Sequence, residues 1–113
     1  MHEAGLMQSV LELAFSQTAE AGATRIERLL LRVGDLSGVV PEALQIAFDA
    51  AAPGTAAEGA ELILESVPVE CWCELCGADF RPQDIIYSCP HCGQISSRLE
   101  RGRELELVSL EVS

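Results

Sequence analysis

At 113 residues the chain is the size of one compact domain, or of a small core with an appendage that needs its own brace. Seven arginines, no lysine and 18 carboxylates leave a formal charge of −11, which repels phosphate backbones and anionic lipid and so argues against nucleic acid or a membrane as partner. Aromatics are 4% of residues against 49% hydrophobics, so the core has to be built from Leu, Val, Ile and Ala.

In chain order, Leu6, Val10, Leu13 and Ala14, with Leu11 beside them, fall at helical spacing from Met1 to Gly22, a natural stop. RIERLLLRVG alternates in part through Ile26, Leu29, Leu31 and Val33, as a half-buried strand does. DLSGVV reads as loop. Pro41 then opens a second helix, PEALQIAFDAA, with Leu44, Ala47 and Phe48 on one face. PGTAAEGA is a turn-rich connection into a strand, ELILESVPVE, where Pro68 suits an edge or an exit. After a cysteine-rich segment, RELELVSLEV alternates strictly, with Leu105, Leu107 and Ser109 on one face and glutamates on the other.

A strand–helix–strand unit crosses over right-handed and makes its strands parallel. The cysteine segment then acts as a long hairpin tip and returns the last strand antiparallel to the second. The expected fold is α+β: a small three-stranded mixed sheet with two helices on one face, plus an inserted zinc-knuckle, ribbon-like module. Residues 1–69 and 94–113 form the α/β unit in this division, and residues 70–93 the zinc-binding module.

No apolar run approaches a membrane span, and the first basic residue is Arg25, so the positive n-region of a secretory signal is missing. The expected location is cytoplasmic, where thiols stay reduced and spaced cysteines point to metal rather than disulfides. Cys73-x2-Cys76 and Cys89-x2-Cys92, twelve residues apart, offer four thiolates to one tetrahedral ion. Zinc is the default ion for such a set. Four protein ligands leave no open position for water, which makes the site a brace rather than a catalyst. Gly77 and Gly93 follow each pair where the backbone turns toward sulfur. Cys71 reads as a strand residue flanking the first knuckle, and His91 as an exposed residue of the second that is also placed to exchange with a cysteine ligand.

The chain opens MHE. The α-amine of Met1, the amide nitrogen and imidazole of His2, and the amide nitrogen of Glu3 form a nitrogen-rich donor set suited to square-planar Ni(II) or Cu(II) rather than zinc. The bland alternative is an ordinary first helical turn with Glu3 favourable at the helix start.

Taken together, the terminal MHE, VGDLSGV after the first strand, AEGAELILE, ECWCELCG with CPHCG, and the closing ELELVSLEV resemble, in order and over essentially the whole chain, the HypA/HybF family of nickel-incorporation proteins for nickel–iron hydrogenase maturation. The resemblance implies a nickel metallochaperone rather than an enzyme. It makes His2 the nickel-binding histidine with Glu3 its neighbour, and Cys73, Cys76, Cys89 and Cys92 the ligands of structural zinc. It also implies a HypB-type GTPase and the hydrogenase large subunit as partners, urease as a further client in some relatives, and a monomer or weak homodimer. Some relatives carry a carboxylate near the position of Val40, where this chain offers Asp35 and Glu42 nearby instead.

Three rivals are worth separating. A nucleic-acid-binding zinc ribbon conflicts with a pI near 4.4. An enzyme lacks raw material: two histidines, no glycine-rich phosphate loop and no nucleophile motif. A structural zinc adaptor without nickel transfer is the remaining alternative.

Overall fold

Met7, Leu11, Ala14 and Thr18 recur at helical spacing and are all buried, which sets the inner face of α1 (His2–Glu20). The structure, a computed structural model, describes residues 2–83, 86–96 and 98–113, and of His2 the backbone only. Leu13 departs from the sequence expectation: it is 48% exposed, because the stripe that meets the sheet runs through Met7 and Leu11 and leaves Leu6, Val10 and Leu13 to one side. The hydroxyl of buried Thr18 donates to the Ala14 carbonyl at 2.7 Å, so the core keeps no orphaned donor there.

After α1 the chain runs through β1 (Ile26–Gly34), α2 (Pro41–Ala51) and β2 (Glu61–Val67). Leu44 and Phe48 bury the inner face of α2, and Pro41 stands at its first turn where no amide partner is needed. Strands β1 and β2 are parallel, as a crossover helix dictates, and β2 stops before Pro68.

The last strand, β6 (Leu105–Val112), is antiparallel to β1 and pairs with it, giving the order β2-β1-β6 with both helices packed on the sheet. Its direction is as expected but its neighbour is not, since a hairpin-tip reading sets it beside β2. Charge explains the difference. Arg28 and Arg32 of β1 reach Glu61 and Glu65 on one side at 2.9 and 2.7 Å, and Glu111 and Glu106 on the other at 2.9 and 3.9 Å. Pairing β6 with β2 instead sets glutamate against glutamate across the ladder.

Two bulges adjust which side chains face inward. One at Glu27 lets Ile26 and Leu29, three residues apart, both turn into the core. The other, at Val108, moves Leu110 onto the same face as Leu105 and Leu107 and leaves Ser109 exposed, correcting the strict alternation read from the sequence.

A second sheet, ordered β4-β3-β5, is formed by β3 (Glu70–Cys73), β4 (Ala78–Phe80) and β5 (Arg98–Arg101), so it takes in residues beyond 93. None of these strands is long enough to show periodicity, and in the sequence Cys71, at ECWC, reads as a strand residue. The two bodies make the molecule long, 54 × 28 × 17 Å, with a radius of gyration of 17.5 Å against about 13 Å for a compact domain of this length.

They meet at Gly34. Its amide donates to Glu104 at 2.7 Å, that of Asp35 to Val67 at 2.9 Å and that of Leu36 to Gly102 at 2.6 Å, which ties the end of β1 to both strands of chain that connect the two sheets. A Cβ on Gly34 collides with the carbonyl group of Gly102 and comes within 2.6 Å of the Glu104 nitrogen, all of it backbone. Gly34→Ala is therefore expected to destabilise the chain by about 1–3 kcal/mol, as overpacking does. Urea denaturation checks this: a midpoint equal to that of the parent shows that the junction gives way without cost.

Candidate metal centre

Two tight turns bring four sulfurs together. Cys73 closes β3, and the amide of Cys76 points at its sulfur at 3.4 Å while that of Gly77 bonds its carbonyl at 2.8 Å. The second turn repeats the arrangement, with the Gly93 amide on the Cys89 carbonyl at 2.8 Å. Gly77 and Gly93 sit at φ 63° and 77°, a conformation side chains disfavour, which is why each knuckle ends in glycine. Four residues not singled out in the sequence support the second knuckle. The Cys89 amide donates to Gln94, and the Ser96 hydroxyl donates to the Trp72 carbonyl at 2.6 Å and accepts from the Arg98 amide at 3.1 Å. Short polar side chains in a loop carry no signal of such roles.

The sulfurs of Cys73, Cys76, Cys89 and Cys92 all lie within 4.8 Å of one another. Cys73 is 3.5 Å from Cys92 and Cys76 is 3.8 Å from Cys89, too far for disulfides, whose bond is about 2 Å. A tetrahedron of sulfurs at about 2.3 Å from a central ion has edges of about 3.8 Å, so the donor set fits a tetrahedral metal. The electrostatics agree. Backbone amides of His91 and Cys92 hold the Cys89 thiol down to about 6, while Cys92, Cys89 and Cys73 push that of Cys76 up to about 12. Four clustered thiols cannot all ionise without a cation among them, so metal uptake expels protons.

Cys71 is fully buried, opposite Phe80 in the ladder, and its sulfur is not in the cluster. It packs with Phe80, Cys73 and Cys89 in a core too small to hold the second sheet by itself, and burial pushes its thiol up. His91 is exposed, and its imidazole is not in the cluster.

At the other end of the chain, Met1 lies outside the described residues, and His2 is the first residue of α1, its side chain undescribed. The Glu3 carboxylate accepts from the Val40 amide at 3.3 Å, so the first turn of α1 is held against the residue that precedes α2. Val40 is therefore beside the first turn of α1 in space, and the Glu3 carboxylate lies against it. Glu42, at the start of α2, is exposed.

A family model described as "Hydrogenase/urease nickel incorporation, metallochaperone, hypA" matches residues 1–112. The chain belongs to the HypA family. Its curated relatives include the hydrogenase maturation factor HypA of a Picosynechococcus species, 47% identical over 99% of both chains, and that of Chloroflexus aggregans, 43% identical over 98% of both. Among solved structures, the nickel metallochaperone HypA of Helicobacter pylori is similar at a TM-score of 0.70 with 25% identity, covering 97% of this chain and 96% of that one. A second HypA solution structure is similar at 0.67 and 27% identity, covering all of this chain and 97% of that one. Membership makes the chain a maturation factor of the HypA nickel-incorporation family, with a four-cysteine site able to hold a metal. Among the described residues no helix is long and apolar enough to cross a membrane.

Proposed function

We propose that this HypA chain binds Ni(II) at its N-terminus and delivers it for maturation of nickel–iron hydrogenase, while Cys73, Cys76, Cys89 and Cys92 hold structural zinc. The observation that supports this most is the match of the nickel-incorporation family from residue 1 onward, on a chain whose four-sulfur centre is closed and leaves no exchangeable position for a cargo ion. Cargo then needs a second site, and the Met1 amine, the amide and imidazole of His2 and the Glu3 amide form a nitrogen-rich set that suits nickel.

A site of this kind at a helix start is releasable. The first amides of a helix have no acceptor within it, so a metal site built on backbone nitrogens at this end leaves the hydrogen-bond ladder of α1 in place. A cation there opposes the positive end of the helix dipole, and the Glu3 carboxylate offsets that repulsion in part. Binding is thus selective by ligand type and weak enough to reverse. The recipient is the hydrogenase large subunit, a HypB-type GTPase works with the chain, the compartment is the cytoplasm, and the carrier is a monomer or weak homodimer.

Nickel binding by the untagged, zinc-loaded chain tests this. Because the ligands are the deprotonated forms, affinity is expected to fall as the pH drops from about 8 to about 5.5, through the imidazole range. A residue added before Met1, which puts its amine in a peptide bond, is expected to weaken nickel binding and leave zinc in place. Flat affinity across that range, together with indifference to the added residue, refutes the proposed ligand set.

A further inference from the structure

Strand β6 is at the end of its sheet, and no strand among the described residues pairs with its outer edge. Ser113 exchanges both backbone bonds with Arg25, so by the alternation of an antiparallel ladder Val112 and Leu110 turn their amides and carbonyls to that open edge. Free edges in soluble proteins are commonly blunted by lysine or proline. This eight-residue strand contains neither, and the Val108 bulge leaves residues 109–112 as an uninterrupted run.

Beside the edge lies an apolar groove of about 410 Å³, lined by Leu6, Val10 and Leu13 of α1 and by Leu105, Glu106 and Leu107 of β6. Leu13 is 48% exposed there. Neither α1 nor β6 carries a lysine or arginine, while together they carry Glu3, Glu12, Glu20, Glu106 and Glu111. On the outer face of the sheet, Glu61, Glu65, Glu106 and Glu111 outnumber Arg28 and Arg32. Arg32 gives its close contact to Glu65 and reaches Glu106 only at 3.9 Å, so of these four carboxylates Glu106, at the open edge, has the longest ion pair.

We propose that this edge receives an extended segment of a partner protein in which apolar and basic residues alternate, added to the sheet as a fourth strand. Side chains of a strand alternate between faces, so one set enters the groove against Leu6, Val10 and Leu13 while the other stands on the outer face beside Glu106 and Glu111. Backbone bonds to Leu110 and Val112 supply register, the groove supplies apolar burial, and the carboxylates select lysine or arginine. The inference is independent of where nickel binds.

The probe is a capped synthetic peptide of about nine residues alternating lysine and valine, matched to the length of β6. It is titrated into the isotope-labelled, zinc-loaded full chain and followed by amide chemical shifts. Shifts centred on Leu110 and Val112, weakened by salt, are expected, with binding at least about tenfold weaker when glutamate replaces lysine in the peptide. Leu13→Glu, on an exposed groove position, and Glu106→Lys, on an exposed edge position, are each expected to weaken binding about tenfold while leaving the remaining spectrum in place. No shifts up to about 1 mM peptide overturn the proposal. So do equal binding of both peptides, shifts confined to β2, or self-association in which a second copy occupies β6 and the peptide does not displace it.

Discussion

His2→Ala on an untagged chain is expected to abolish nickel binding and leave one zinc per chain. Loss of even an outer-shell partner lowers metal affinity about 10–100-fold, so loss of the imidazole itself is expected to exceed about 100-fold. The reason lies in the site's construction. His2 stands at the first position of α1, and it supplies the one imidazole of the proposed ligand set. Side-by-side calorimetry and metal analysis of parent and variant decide the matter. A structural zinc adaptor predicts no change in either metal, and nickel uptake that survives the substitution rejects the carrier reading. The four-cysteine centre serves as internal control, because its sulfurs come from a different sheet and do not involve the terminus.

Cys73→Ser is expected to produce the largest structural effect. Cys73 is buried, ends β3, and contributes both a sulfur to the cluster and a side chain to the small second core. That core consists of Cys71, Cys73, Phe80 and Cys89 with Val69, Tyr87 and Leu99 packed against it, which is too little apolar burial to order three short strands. Metal binding has to supply the difference, and structural zinc sites contribute about 10–16 kcal/mol in small peptides. The variant is expected to lose zinc and the amide protection of β3–β5 while α1, α2 and the β2-β1-β6 sheet persist. Trp72 reports this directly: it is the one tryptophan, half-buried on β3 with the Arg98 guanidinium 5.4 Å from its ring centre. A red shift in its emission with unchanged helical circular dichroism is the expected signature. Retention of both zinc and module protection contradicts the bracing role, and collapse of the helical signal shows that the two bodies unfold as one. In the parent, X-ray absorption is expected to show four sulfurs at about 2.3 Å from zinc.

Much of this architecture is legible in the chain itself, and the exceptions have identifiable causes. Helix α2 follows from Pro41 and the spacing of Leu44 and Phe48, and β2 from ELILESV halted before Pro68. The clustering of the Cys73, Cys76, Cys89 and Cys92 sulfurs follows from their spacing, since tight turns carrying two sulfurs each satisfy it. Leu110 was hidden by the Val108 bulge, which shifts side-chain parity by one in a way that no alternation count anticipates. Leu13 fitted a helical apolar stripe as well as Met7 does, but periodicity cannot tell which of two adjacent stripes meets the sheet. Strands β3, β4 and β5 are four, three and four residues long and exist because their partners and the thiolate turns hold them.

What the residues determined by themselves is therefore local. Helix and strand periods, the glycines that end each knuckle, and ligand chemistry are properties of short stretches of chain. Which strand lies beside which, and which stripe of α1 is inner, were decided only when distant segments met. The central position of β1 is matched by Arg28 finding glutamates 33 and 83 residues further along, and by Arg32 finding one 33 residues along. The approach of Glu3 to Val40 depends on two helices packing side by side. Such choices are set by complementarity of charge and volume between elements, a property that belongs to pairs of segments and to no single one of them.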